Sequence, residues 1–300
     1  MDIRILRYFL AVAREESISH AAKALHVSQP TLSRQLADLE TELGTTLFIR
    51  GNRRISLTEE GHFLVKKAKE IVALVEKTEA NFKQPTSSIT GEITIGAGET
   101  EAMGLIGRSL HSLLTEHPGI RFHLYSGNAD DLMEKLDSGV LDFGLVIEPT
   151  NKEKYEYLHL PAVDTWGVLM LRDSPLAALD TITPEDLADR PLILSRQTTV
   201  DNELTGWFGR DIGDLTIVST YNLLYNASLM VKEGLGYAVC LEKIIPTPED
   251  GELVFRPLNP GLHAGLNLIW KKHGMHSAAA NAFLDHTRRT IHAKKEDPEG

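Results

Sequence analysis

At ~100–200 residues per domain, three hundred residues make two or three domains, each able to bury a full core. A composition of 42% hydrophobic and 24% charged residues excludes a disordered or fibrous chain. The formal net charge of −11 excludes a protein that coats nucleic acid with its whole surface. Residues 1–90 nevertheless carry a net +2 and residues 91–300 a net −13, which leaves room for a small N-terminal DNA-contacting module. The single cysteine, Cys240, excludes an intrachain disulfide framework and a cysteine-cluster metal site; in the apolar run Tyr237–Leu241 it reads as a buried core thiol. The N-terminus lacks the apolar core and small-residue cleavage site of a signal peptide. No stretch has the ~18 uninterrupted apolar residues of a membrane span, so a cytoplasmic protein with no membrane partner is expected.

Residues 2–15 place Ile3, Leu6, Phe9, Leu10 and Ala13 on one stripe, an amphipathic helix. Ser19 is the expected N-cap of a short helix through Ala21, Ala22 and Leu25, and His26-Val27 turns the chain. Ser28 caps the next helix, with Pro30 in its first turn, where a missing N–H costs nothing. That helix carries Leu32, Leu36, Leu39 and Leu43 and stops at Gly44, so the two short helices spell a helix-turn-helix. Leucine spacing alone fits any helical core. The polar face decides: Ser28, Gln29, Thr31, Ser33, Arg34 and Gln35 crowd the N-terminal half outside the leucine stripe. These are types that bond base edges and phosphates. Residues 47–57 then predict a short hairpin with a Gly51-Asn52 tip and Arg50, Arg53 and Arg54, a wing suited to a minor groove or backbone.

The run from Arg7-Tyr8-Phe9 through Ala21-Ala22, residues 27–33 (VSQPTLS) and Leu39-Glu40 to Leu47-Phe48, Leu57-Thr58 and Gly61 resembles the winged helix-turn-helix of LysR-type transcriptional regulators. The resemblance implies that Gln29, Pro30, Ser33 and Arg34 face the groove and that Arg53 sits at the wing. Residues 58–83 predict one long helix after Thr58. Leu57, Gly61, Leu64, Ala68, Ile71, Val75, Thr78 and Phe82 form a heptad seam along it and point to a homodimer. A dimer needs two half-sites, hence double-stranded DNA with an inverted-repeat operator. Residues 84–88 (QPTSS) read as a hinge.

From Gly91 strands and helices alternate: strand 92–96, helix 102–116, strand 121–125, helix 129–138 and strand 143–147. A second series follows, with strands 166–171, 191–195, 215–219 and 237–241 around a Pro184-led helix and helices 201–210 and 222–233. Strand 265–270 and helix 277–292 complete the chain. Such alternation implies parallel α/β sheets, and the length fits two α/β lobes with a ligand cleft between them. The family's effector domain resembles this plan through residues 91–96 (GEITIG), 117–119 (HPG), 139–144 (GVLDFG) and 231–237 (VKEGLGY). The resemblance implies a periplasmic-binding-protein-like pair of lobes, one of residues 91–163 and 265–292 and the other of 164–264. The expected organisation is therefore a winged helix-turn-helix over 1–58, a linker helix and hinge over 59–90 and an effector domain over 91–300, with tetramers formed through the acidic lobes.

A ligand in such a fold lies on strand ends and helix N-termini. This places it among Gly98, Glu99, Thr100, Gly127, Asn128, Val146, Ile147, Glu148, Ser195, Arg196, Gln197 and Asn222. Thr100, Asn128, Ser195 and Asn222 suit a small polar ligand, and Arg196 suits a carboxylate. Glu99 and Glu148 instead favour an amine or face away. No complete dinucleotide fingerprint, phosphate-binding loop or nucleophile elbow is present, so no cofactor and no catalytic set is expected. An enzyme with merely oligomerising N-terminal helices would need such a set, and a DNA-organising protein would not need so large a C-terminal part. His273, His276, His286 and His292 have spacings that could seat a metal, but they lack a partner carboxylate cluster and read as solvated.

Overall fold

The computed structural model describes all residues except 51–54, 83–88, 197–201, 273, 275 and 297–300. The chain divides into two compact units, Met1–Lys83 and Gln84–Gly300. The expected wing tip, the hinge, Gln197 and His273 lie outside the described residues, as do the side chains of Arg50 and His292.

The first unit opens with α1 (Ile3–Glu15), whose N-cap Asp2 accepts from the Arg4 N–H. Helix α2 (Ile18–Ala24) follows, capped by Ser17 rather than the expected Ser19. A cap two residues earlier gives the helix a further half turn and puts Ala21 and Ala22 in the core. The turn to α3 (Gln29–Leu43) runs through His26 at φ 54°, a left-handed conformation that costs an L-residue about 1 kcal/mol and that glycine adopts freely. Strands β1 (Phe48–Arg50) and β2 (Ile55–Leu57) pair antiparallel, Phe48 opposite Leu57. Glu40 of α3 accepts from the Leu47 and Phe48 N–H groups at 2.7 and 3.2 Å, which fastens the base of the hairpin.

Helix α4 (Glu59–Phe82) starts at Thr58, whose Oγ1 accepts from the Gly61 N–H at 2.9 Å. A Cβ on Gly61 would collide with the Leu47 carbonyl, so the close approach of helix and wing requires glycine. Here the structure corrects the seam: Leu57, Leu64 and Ala68 pack into this unit's own core with Leu6, Phe9, Leu32 and Leu36. Among its described residues, the large apolar side chains that α4 leaves exposed are Phe63, Ile71 and Leu74. The helix thus belongs to the first unit rather than standing apart as a separate linker.

In the second unit β3 (Gly91–Ala97), α5 (Met103–Glu116), β4 (Ile120–Ser126), α6 (Ala129–Asp137) and β5 (Phe143–Ile147) alternate as expected. Strand β3 lies between β4 and β5, parallel to both. Then β6 (Tyr155–Leu171) runs seventeen residues, where only its second half was legible. Its first half pairs with β11 (His263–Lys271) and its second with β9 (Tyr237–Leu241) and β10 (Leu253–Pro257). Between them come α7 (Pro184–Leu187), β7 (Leu192–Ser195), α8 (Asn202–Phe208), β8 (Ile217–Tyr221) and α9 (Leu224–Lys232), and α10 (Ala278–Glu296) closes the chain. The strand order is β4-β3-β5-β11-β6-β9-β7-β8.

Separate cores mark two lobes on this sheet. One holds Ile93, Phe143, Leu160, Leu266 and Trp270 under α5 and α10. The other holds Trp166, Val168, Leu192, Val239 and Ala264. The chain therefore crosses between lobes near Asp164 and again at Ala264-Gly265. Strands β3, β4 and β5 in one lobe and β7, β8 and β9 in the other are the parallel sets, and such sets leave a crevice beyond their carboxyl ends. No described helix is long and apolar enough to cross a membrane.

Candidate functional site

Two sites emerge, one in each unit. In the first, Ser28 Oγ accepts from the Thr31 N–H at 3.3 Å and lies 2.7 Å from Thr31 Oγ1. Both side chains therefore brace the start of α3. Leu32, Leu36 and Leu39 face inward and are buried, while Gln29, Pro30, Thr31 and Arg34 are exposed on the opposite side. Ser33 is half-buried. Gln35 departs from the expected outward array: it is half-buried, and its Oε1 is enclosed without a hydrogen bond. A helix start with hydroxyls, an amide and a guanidinium on one open face can hold phosphates and read base edges.

In the second unit a cavity lies between the lobes. Gly98, Glu99, Gly127, Asn128, Ile147 and Glu148 line it from one lobe, and Ser195 and Asn222 from the other. Sequence had placed all eight there, because each lies at or just after the carboxyl end of a parallel strand. Val146 is a correction: alternation along β5 turns it away into a core with Leu132, Leu136 and Ile269. Thr100 is a second correction. It borders an adjacent hollow with Lys243 and Tyr125, and its Oγ1 accepts from the Ala102 N–H at 3.0 Å. Burial raises the pKa of Asp164, which lies where β6 crosses between lobes. Arg196 is exposed and is not among the described residues that line the cavity.

The wall that sequence missed is apolar: Trp166, Leu204, Leu224, Leu241, Ile244 and Leu262, with Pro149 and Tyr221. In sequence these look like ordinary core residues, and only the lobe arrangement exposes them to the crevice. Trp166 is 7% exposed, and its Nε1 is enclosed without an acceptor. Tyr221 Oη donates to the Val239 carbonyl at 2.8 Å, and burial pushes its pKa well up.

The acids of the cavity are already engaged. Glu148 accepts from Lys152 Nζ and Asn267 Nδ2. Glu99 reaches across the cleft and accepts from the Leu224 N–H, the first of α9. The N-cap of that helix, Leu223, supplies no side-chain cap, so a carboxylate from the other lobe fills the position that a helix dipole favours for an anion. Cys240 is buried as expected, its thiol pushed up to about 12 by burial.

Residues 3–62 match the profile of bacterial regulatory helix-turn-helix proteins of the lysR family, and residues 86–291 match that of the LysR substrate binding domain. The HTH-type transcriptional regulator IlvY of Escherichia coli K12 is 31% identical over 251 residues, 82% of this chain and 83% of its own. YvbU of Bacillus subtilis 168, described as an uncharacterized HTH-type transcriptional regulator, is 27% identical over 98% of this chain and all of its own. The fold is that of full-length CbnR solved in complex with its target DNA: TM-score 0.71 at 22% identity, over 97% of this chain and 100% of that one.

Proposed function

Because the chain belongs to the LysR family of DNA-binding transcriptional regulators with an effector-binding domain, we propose that it reads an inverted-repeat operator as a homodimer and answers to an uncharged or cationic metabolite held between its lobes. The operator reading is carried by the open polar face at the start of α3, where Gln29, Thr31 and Arg34 stand clear of the leucines that anchor the helix. Arg50, Arg53 and Arg54 would add backbone contacts from the wing. The dimer would form through Phe63, Ile71 and Leu74 of α4, apolar side chains that this unit leaves uncovered. Pairing of the acidic lobes would then give a tetramer. The chain would work in the cytoplasm and catalyse no reaction of its own.

The effector's charge follows from the cavity. Among its described lining residues are two carboxylates and no lysine or arginine, and Glu99 already holds the anion position at α9. An anionic ligand would have to displace it. An apolar body would fill the space beside Leu204, Leu241 and Leu262, and an acceptor on the ligand would satisfy Trp166 Nε1. Binding shifts lobe closure only if the open and closed states differ in affinity for the ligand; Glu99, which bonds one lobe to the other, is placed to make them differ.

The test is titration of the full chain onto labelled duplex DNA across a salt series. Phosphate contacts predict affinity that falls linearly on a log–log plot as counterions are released. Absent or salt-independent binding would contradict the reading.

A further inference from the structure

The sequence presents His286 as one of several solvated histidines near the C-terminus. The fold does otherwise: α10 packs along α5 and carries His286 to the carboxyl end of that helix, beside Glu116 and His117. One ligand atom from each of the three lies within 4.8 Å of the other two. His286 is only 3% exposed. Its Nδ1 stands 3.3 Å from Ser112 Oγ, and a hydroxyl accepting from Nδ1–H leaves Nε2 as the nitrogen with a free lone pair. That Nε2 is enclosed and makes no hydrogen bond, while Glu116 Oε2 lies 3.4 Å off. Two ligands held ~2.1 Å from one tetrahedral ion stand about 3.4 Å apart.

We propose that Glu116, His117 and His286 form a site for a divalent transition ion of the zinc class, which would tie α5 to α10 on one face of the lobe. Two imidazoles select such an ion over magnesium or calcium. The carboxyl end of a helix favours a cation. Glu116 is exposed, so the fourth position faces water. The guanidinium of Arg289 lies near His286. Arg289 weakens the site's hold on a cation but offers no lone pair and cannot ligate.

The test uses the full chain, stripped with a chelator and titrated with Zn²⁺ alone by calorimetry, with Co²⁺ absorption as a report of tetrahedral geometry. One ion per chain is expected at this site. Glu116→Gln and His117→Ala should each lower its affinity at least ~10-fold, and Ser112→Ala, which frees the ring it orients, by ~10-fold. Glu116 and His117 lie toward the surface, so these variants keep the test valid should His286→Ala fail to fold. Absence of zinc uptake overturns the proposal. So does uptake unchanged in the double variant Glu116→Gln/His117→Ala, which would assign the ion to other histidines.

Discussion

Ser28, the N-cap of α3, and Arg34, six residues on, do different work. Ser28 satisfies the Thr31 N–H at the helix start, so Ser28→Ala should cost about 1 kcal/mol of stability, visible as a lower melting temperature of the first unit. Arg34 is exposed and anchors nothing in the core. Arg34→Ala should leave that melting temperature in place while weakening operator binding by ~1–3 kcal/mol and relaxing base choice at one position. An unchanged operator preference would remove Arg34 from the readout. Across the cleft, Glu99→Ala should expose the Leu224 amide. A hydrogen bond to a charged group is worth ~1.5–3 kcal/mol, so exchange at Leu224 should quicken by ~10–100-fold in a hydrogen–deuterium experiment. Equal exchange in both proteins would mean that the bond does not hold the lobes in solution. Single residues are also where sequence reading failed. Thr100 and Val146 sit at the right strand ends, but one lies a residue beyond the cavity and the other on the wrong face of β5. Side-chain parity is fixed by register, and register is set by partners that are distant in sequence.

At the level of elements, local signals served where local physics decides. Helix α3 was legible from cap to stop, since Ser28, the leucine stripe and the left-handed Gly44 act within the helix itself. Strand β6 was half-hidden because Pro161 interrupts its first half, and proline is excluded from a regular ladder. The structure accommodates it in an irregularity: Val163 pairs with Gly265 and His159 with Asn267, so β6 has extra residues between them. Strand β10 was missed altogether; it is short and takes its place only by pairing with that same second half of β6. Helix α4 teaches the converse. Its seven-residue spacing was real, but the protein's own Leu6 and Phe9 cover half of it, and periodicity does not say whose core a stripe enters. Leu74→Lys places a charge on the face that stays open. Sedimentation should show it shifting the dimer toward monomer without lowering the melting temperature of the first unit. A dimer of unaltered strength would move the interface elsewhere.

At the scale of the whole molecule, charge and architecture divide the labour. The basic excess lies within the first ninety residues, where the recognition helix is. The acidic remainder builds two lobes whose parallel strands end at one cavity. Fold class and the polar half of the cavity were legible because strand–helix alternation determines where crevices open. Its apolar wall and the Glu116–His117–His286 cluster were not, because both join residues far apart in the chain that look unremarkable one by one. The central claim is that this chain reads a particular DNA sequence as a symmetric assembly. Selection of bound duplexes from a random pool by the full chain tests it most directly. The account predicts an inverted-repeat winner bound ~10³-fold or more tightly than random DNA. Uniform weak binding to every duplex, with no sequence enriched, would contradict it.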